Sequence, residues 1–202
     1  MPSMKKGVPV GLLDFNIQVL ESKQKDVHDS SVKFGPVSGD NCSVICSREP
    51  YGIISAQLGT LQQNSLVNFW TLGRYAMHHV LRYVLSQTGP ADVVACTWAI
   101  STRAVDDLLF LRSKGLLRSF KLWIDPRVKV RNPEPLQMLQ LNWPVSIAPV
   151  HAKVTTIENE QWRVSIFGSL NFTTNPQPER GAICTIDSVF DVDNKVLMEV
   201  FK

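Results

Sequence analysis

The chain has 202 residues, with a hydrophobic fraction of 44%, a charged fraction of 19% and a formal net charge of +3. These values are typical of a soluble globular protein that buries a core. No stretch approaches the roughly 20 apolar residues of a membrane-spanning helix, and the apolar run near the N-terminus is too short for the core of a signal peptide. We therefore expect a cytoplasmic protein, and its mild positive charge is compatible with a phosphate-bearing partner.

The four cysteines do not have the spacing of a metal site. Cys42 and Cys46 form a C-x3-C pair, but no second pair or histidine pair accompanies them, so a zinc site is not expected. Cys96 and Cys184 lie in apolar runs, which is typical of small core residues. The sequence therefore predicts neither a metal ion nor a cofactor.

The first 50 residues differ in pattern from the remainder of the chain. Polar segments alternate there with turn-forming pairs such as Gly35-Pro36 and Gly39-Asp40. We expect an N-terminal arm or a few edge strands over residues 1–50, followed by a single domain over residues 51–202.

The first half of that domain alternates between helical and strand patterns. Apolar residues with the spacing of an amphipathic helix occupy Val67–Leu85, and Gly89-Pro90 follows as a stop. An apolar run rich in β-branched residues, Asp92–Ile100, predicts a buried strand. A helix over Val105–Leu111 and a strand over Ser119–Ile124 complete this half.

Short strands dominate the second half of the domain. The sequence predicts strands at Val145–Thr156, Trp162–Phe167 and Ala182–Ile186, then a closing helix that begins near Asp187. Because helices and strands alternate before these segments, we expect an α/β sandwich with a mixed, mainly parallel β-sheet flanked by helices.

The residues with the clearest chemical potential lie in two short segments. His151 and Lys153 are two residues apart in a predicted strand, so their side chains project from the same face. The next strand ends at Gly168, which permits close backbone approach, and Ser169 and Asn171 add a hydroxyl and an amide. If these two strands are paired, an imidazole, a cation, a hydroxyl and an amide converge at one end of the sheet.

This arrangement resembles the phospholipase D superfamily, whose motif runs H-x-K, four residues, D, then G-S-x-N. The motif is matched here at His151, Lys153, Gly168, Ser169 and Asn171, and Glu179 looks like the family's downstream acidic residue. The resemblance covers about residues 145–185 and implies a phospholipase D-like sandwich. It implies that His151, Lys153, Ser169, Asn171 and Glu179 are catalytic and that Gly168 and Arg180 contact the substrate.

Two features depart from the family pattern. The acidic position, five residues after the lysine, holds Glu158 in place of aspartate, and a longer turn, expected at Glu158–Gln161, separates it from the Gly-Ser pair. Since the family's acidic residue helps to hold the motif together, a non-catalytic protein that keeps the fold is one alternative.

The resemblance implies a metal-independent phosphodiesterase that forms a phosphohistidine intermediate at His151. A second, protonated histidine then serves the leaving group, because imidazole titrates near neutral pH. The other histidines, His28, His78 and His79, have no lysine two residues on. A complete site therefore needs a second chain, and we expect a homodimer in which two copies of His151 meet across a two-fold axis.

The substrate is less directly indicated than the chemistry. Basic residues recur between Arg112 and Arg131, which indicates either a solvated surface or a stripe that binds a nucleic-acid backbone. We expect a nuclease acting on DNA or RNA without a membrane partner. The alternatives are a phospholipid hydrolase or transferase, and a non-catalytic nucleic-acid-binding module. Trp98, near the end of a predicted strand, could line the pocket, but a core position is the more frequent case for tryptophan, so it is assigned no role.

Overall fold

The computed structural model describes residues 51–202. The expected N-terminal arm or edge strands at 1–50 and the Cys42–Cys46 pair therefore lie outside the described residues. Among the described residues, no helix is long and apolar enough to cross a membrane.

The described residues form helices and short strands in the following order. The helices are α1 (Tyr51–Leu58), α2 (Met77–Thr88), α3 (Thr102–Ser113), α4 (Val128–Arg131), α5 (Pro133–Asn142) and α6 (Asp187–Glu199). The strands are β1 (Leu66–Trp70), β2 (Ala91–Thr97), β3 (Leu117–Ile124), β4 (Val145–Ile147), β5 (Val154–Glu158), β6 (Arg163–Gly168) and β7 (Arg180–Cys184).

All seven of these strands form one sheet in the order β1-β7-β6-β5-β2-β3-β4. Only the pairs β2–β3 and β3–β4 are parallel, whereas the other four neighbouring pairs are antiparallel. The expectation of a mainly parallel sheet was therefore wrong, although the mixed α/β sandwich is confirmed. Helices connect β2, β3 and β4, so that these strands run parallel, whereas loops over residues 159–162 and 169–179 join β5, β6 and β7 as antiparallel neighbours.

Helices cover both faces of the central strands of the sheet. Val93 and Ala95 of β2 join Phe120 and Leu122 of β3 in the main core, beneath α1, α2, α3 and α5. The alternate residues face the other way, where Cys96 packs with Leu197 of α6 in a smaller cluster. This two-residue alternation is what a strand requires when helices cover both sides of a sheet. Cys96 and Cys184 are buried free thiols, as expected of core residues.

The predicted helix over Val67–Leu85 is in fact a strand, a turn and a helix. Residues 66–70 pair with β7 as an edge strand, and α2 begins only at Met77. The turn between them is fixed by Thr71, whose backbone N–H donates to Glu179 O at 2.9 Å, and by Gly73, whose φ is +74°. Pairing with a distant strand overrides the local helical periodicity here.

Other predicted elements agree with the structure within a few residues. Ser101 is the N-cap of α3, and its Oγ accepts a hydrogen bond from the backbone N–H of Ala104. The predicted strand Val145–Thr156 is instead two strands. β4 ends at Ile147, and residues 148–153, which have no regular secondary structure, lead to β5. His151 and Lys153 therefore lie in a connection at the sheet edge and not within a strand.

Candidate active site

Most of the predicted site residues lie at one edge of the sheet. Strands β2 and β3 end there, at Thr97 and Ile124, and β5 begins there because Val154 pairs with Cys96. β6 ends at the same edge with Gly168, which is opposite Gly181 near the start of β7. Loops that follow parallel strands and loops that join antiparallel strands therefore meet along this edge, called the site edge below.

The connection that leads to His151 is fixed by the end of β3. The indole N–H of Trp123 donates to Ala148 O at 3.0 Å. The buried carboxylate of Asp125 accepts a hydrogen bond from the backbone N–H of Val150 at 3.4 Å. Contacts with Arg127 hold the pKa of Asp125 well below its usual range, so this carboxylate is ionised. His151 thus follows immediately after a segment with fixed backbone.

His151 and Lys153 differ strongly in exposure. His151 is exposed, whereas Lys153 is only 7% exposed and donates from Nζ to the backbone oxygen of His151 at 2.6 Å. The lysine side chain therefore folds back beneath the histidine. An exposed imidazole next to a partly desolvated cation is a suitable arrangement for a phosphate group that arrives from solvent.

The two halves of the motif are joined by backbone contacts. The Gly168 N–H donates to Lys153 O at 3.2 Å, which brings the end of β6 against the start of β5. The Ser169 N–H donates to Arg180 O at 2.9 Å, and Ser169 Oγ accepts from the Arg180 N–H at 3.2 Å. Arg180 is exposed and donates from Nη2 to Asn68 at 2.9 Å. The H-x-K and G-S-x-N segments, which are distant in the sequence, are therefore neighbours in the structure.

Asn171 is fixed by the end of β2. Its Oδ1 accepts hydrogen bonds from Thr97 Oγ1 at 3.2 Å and from the Trp98 N–H at 3.3 Å. Its backbone oxygen accepts from the Met77 N–H at the start of α2. Because two donors hold the amide oxygen, the amide NH2 group is the part of Asn171 that can bind an anion.

Lys153 and Glu179 form an electrostatic pair in a partly dry environment. Burial raises the pKa of Glu179, and the positive charge of Lys153 acts in the opposite direction. Burial lowers the pKa of Lys153, and the negative charge of Glu179 acts to raise it. Glu179 is 7% exposed and its Oε2 has no hydrogen-bond partner among the described residues. Opposed, environment-shifted groups of this kind cluster at functional sites.

Sequence reasoning did not place Trp98 and the two arginines of the basic stretch, Arg127 and Arg131, together beside His151. The Trp98 and His151 rings have centroids 6.1 Å apart. The guanidinium carbons of Arg127 and Arg131 lie 4.7 Å and 5.0 Å from the centroid of the Trp98 ring. The sequence left Trp98 as either a pocket or a core residue, because its proximity to His151 depends on β2 and β5 being neighbours.

Glu158 lies away from the site edge. It occupies the far end of β5, where it is exposed and its Oε1 lies 3.4 Å from Arg163 Nε. Arg163 also pairs with Asp187 and Asp191 of α6. The turn runs over residues 159–162 and is closed by Asn159, whose Oδ1 accepts from the Trp162 N–H at 2.8 Å. This acidic position therefore anchors a hairpin to a helix, remote from the motif.

The basic stretch divides into two groups at opposite ends of β3. Arg118, at its start, pairs with Asp92 at 2.9 Å and Glu160 at 2.7 Å. Arg127 and Arg131 follow the other end and lie near Trp98. Of the two alternatives, a stripe along the whole stretch is therefore not formed, because β3 separates the two groups and Arg118 is paired with acidic side chains.

Among residues 51–202, one cluster has metal-ligating atoms close together: His78, His79 and Asp107, with atoms within 4.8 Å of one another. Burial, then the positive charges of Arg103 and Arg82, lowers the pKa of His79 to about 4. The pKa of His78 is likewise well below its usual value. Both imidazoles are therefore neutral, as a metal ligand must be, but the same arginines oppose binding of a cation.

No model of a known protein family and no curated protein matches this sequence. Among solved structures, NucT from Helicobacter pylori is similar at a TM-score of 0.50 and 13% identity, over 68% of this chain and 96% of NucT. The fold of residues 51–202 is therefore phospholipase D-like, as the motif implied.

Two other solved structures have lower similarity. Polyphosphate kinase from Porphyromonas gingivalis has a TM-score of 0.49 and 11% identity, over 66% of this chain and 26% of the kinase. TrmBL2, an archaeal chromatin protein, has a TM-score of 0.47 and 10% identity, over 94% of this chain and 66% of TrmBL2.

Gly168→Ala should lower the free energy of unfolding by about 1–3 kcal/mol, because a Cβ there would lie 2.3 Å from Arg180 O. Urea denaturation measures the change. The matched control is Gly52→Ala in α1, where a Cβ meets nothing within 4 Å among the described residues and alanine should raise stability by at most about 1 kcal/mol. Equal effects at both positions would contradict the close approach of β6 and β7.

Glu179→Gln should lower the pKa of Lys153, since the substitution removes the negative charge that favours the ammonium form. Deprotonation of Lys153 then occurs at a lower pH than in the wild type. An NMR titration of the Lys153 side chain measures this shift without requiring activity. Glu158→Gln, at the far end of β5, is the control and should leave the Lys153 titration unchanged.

Proposed function

We propose that this protein is a metal-independent phosphodiesterase acting on nucleic acid through a phosphohistidine at His151. The observation that carries the proposal is the hydrogen bond from Gly168 N–H to Lys153 O, which joins the H-x-K and G-S-x-N segments at one sheet edge. The phospholipase D-like fold supports it independently.

The exposed and buried groups of the site suit the steps of such a reaction. A neutral His151 imidazole attacks phosphorus; a P–N bond forms as the P–O bond to the leaving group breaks. Lys153 and the amide group of Asn171 bind the non-bridging oxygens, with Ser169 assisting, and so stabilise the charge that develops on them. Glu179 favours the charged form of Lys153 despite burial, which keeps this cation available for the phosphate.

The leaving oxygen needs a proton, and in this family chemistry a second H-x-K histidine donates it. The sequence has one H-x-K, at His151, so a single chain does not supply this donor. We propose that His151 of the partner subunit supplies this proton and then accepts one from the water that hydrolyses the P–N bond. The exposure of His151, Gly168 and Ser169 supports this arrangement, since a second copy can approach them from solvent.

His151→Ala should reduce nuclease activity at least about 1000-fold, because the substitution removes the nucleophile. The assay follows cleavage of plasmid, single-stranded DNA and RNA in excess EDTA. Wild-type activity should survive chelation, since the chemistry uses no metal. Arg118→Ala, on an ion-paired arginine at the opposite sheet end, is the matched control and should retain activity.

The outcomes of this assay separate the candidate functions. Cleavage that EDTA abolishes would rule out the metal-free mechanism and direct attention to the His78, His79 and Asp107 cluster. Binding without cleavage, unchanged in His151→Ala, would favour a non-catalytic nucleic-acid-binding module. A denaturing gel of protein incubated with phosphate-labelled substrate should reveal an acid-labile adduct that His151→Ala lacks.

A mixing experiment tests whether the site is shared between two subunits. Wild-type and His151→Ala chains are co-refolded in equal amounts, so that about half of the dimers are mixed and about one quarter are wild type. A shared site predicts activity near one quarter of the all-wild-type value, whereas independent sites predict about one half. Sedimentation that shows an active, strict monomer would contradict the dimer.

A further inference from the structure

Two arginine side chains pack on one indole ring beside His151. The guanidinium carbons of Arg127 and Arg131 lie 4.7 Å and 5.0 Å from the centroid of Trp98, within the range of a cation–π contact. Trp98 itself lies 6.1 Å from the His151 ring, centroid to centroid. We name Trp98, Arg127 and Arg131 together the arginine clamp.

The clamp has a net positive charge that is exposed to solvent. Arg127 is fixed by Asp125, which accepts from its Nε at 2.7 Å and from its Nη2 at 3.1 Å. Arg131 is exposed, and no described carboxylate forms an ion pair with it. The charges of Asp125, Arg127 and Arg131 therefore sum to one net positive charge, which lies against the Trp98 ring.

A guanidinium group has the planar donor geometry that binds phosphate oxygens in pairs. The groups already assigned to the scissile phosphate have other partners: Lys153 is held by the His151 carbonyl oxygen and the charge of Glu179, and Asn171 by Thr97 and the Trp98 N–H. Among the described residues, neither clamp guanidinium contacts Lys153 or Asn171, so the clamp offers a separate pair of anion-binding groups. A substrate that uses both positions must have more than one phosphate.

We propose that the arginine clamp is a subsite for the backbone phosphates that flank the scissile phosphodiester, so that the substrate is a polynucleotide strand and not a single phosphodiester head group. Successive phosphates are about 3.4 Å apart along the axis of a duplex strand. The guanidinium carbons lie 4.7 Å and 5.0 Å from a ring that is itself 6.1 Å from the His151 ring, so they lie within about 11 Å of His151. At this distance the clamp reaches phosphates about one to three nucleotides from the bond that is cleaved. This inference rests on the proposed function for the identity of the scissile bond.

Binding tests the clamp without any cleavage. In a His151→Ala background, fluorescence anisotropy measures the Kd of a fluorescein-labelled single-stranded oligonucleotide of about 20 nucleotides. Arg131→Ala should raise Kd about tenfold at low salt, because one phosphate contact is lost. The slope of log Kd against log salt should fall by about 0.7.

Arg112→Ala is the matched control, since Arg112 also packs on an indole ring, 5.9 Å from the Trp143 centroid, but beyond the opposite end of β3. It should change Kd less than about twofold. Equal weakening by the two substitutions would overturn the clamp, because it would indicate a general charge effect. Trp98→Leu should weaken binding like Arg131→Ala, and Trp98→Phe should restore most of it.

Activity assays in chains that keep His151 show whether the clamp affects substrate binding or the chemical step. Arg131→Ala should raise KM for the oligonucleotide and leave hydrolysis of bis(4-nitrophenyl) phosphate unchanged, because that ester has one phosphate. Slower hydrolysis of both substrates would place Arg131 in the chemical step and overturn the inference. A loss confined to phosphatidylglycerol vesicles would overturn the polynucleotide assignment.

The failures of the two proposals are distinguishable. If the wild type hydrolyses none of these substrates, the phosphodiesterase proposal fails, while the anisotropy comparison of Arg131→Ala with Arg112→Ala still decides the clamp. If cleavage occurs but Arg131→Ala binds the oligonucleotide like the wild type, the clamp fails and the phosphodiesterase proposal stands. Arg131 is exposed, so its replacement does not threaten the fold.

Discussion

The candidate site depends on one backbone hydrogen bond, from the Gly168 N–H to Lys153 O. It closes the ladder between β5 and β6 at the sheet edge and brings together two motif segments that are 15 or more residues apart in the chain. Glycine is required at this position because the backbone of β7 leaves no room for a side chain. Ser169 and Arg180 are then positioned by the β6–β7 contact that this close approach allows.

The same edge is made by two kinds of strand connection. The parallel strands β2 and β3 contribute Trp98 and Asp125 from the loops after their carboxyl ends, where ligands bind in open α/β sheets. The antiparallel strands contribute Lys153 and Gly168 from their near ends. The β2–β5 pair joins the two halves and so sets the distance between Trp98 and His151.

Burial of opposite charges gives this edge its electrostatic character. Desolvation disfavours both the ammonium of Lys153 and the carboxylate of Glu179, and each partly offsets the penalty of the other. The carboxylate of Asp125 differs from that of Glu179, because several hydrogen bonds stabilise its ionised form and lower its pKa. One carboxylate thus fixes the backbone before His151, while the other supports a cation that a phosphate can use.

The sequence by itself determined the local elements and the chemical types of the site residues. Strands such as Ser119–Ile124 and the capped helix after Ser101 were predictable because a two-residue alternation and an N-cap are local properties. The motif residues from His151 to Asn171 were identifiable because their types and order are unusual in combination.

Only the tertiary structure decided how these elements pair. Residues 66–70 have helical periodicity but add a strand to β7, and the direction of the β5, β6 and β7 strands made the sheet mainly antiparallel. Trp98 and Asp125 joined the site edge, whereas Glu158 was placed at the far end of β5. Strand partners are set by contacts between residues distant in the chain, and a local pattern has no information about them.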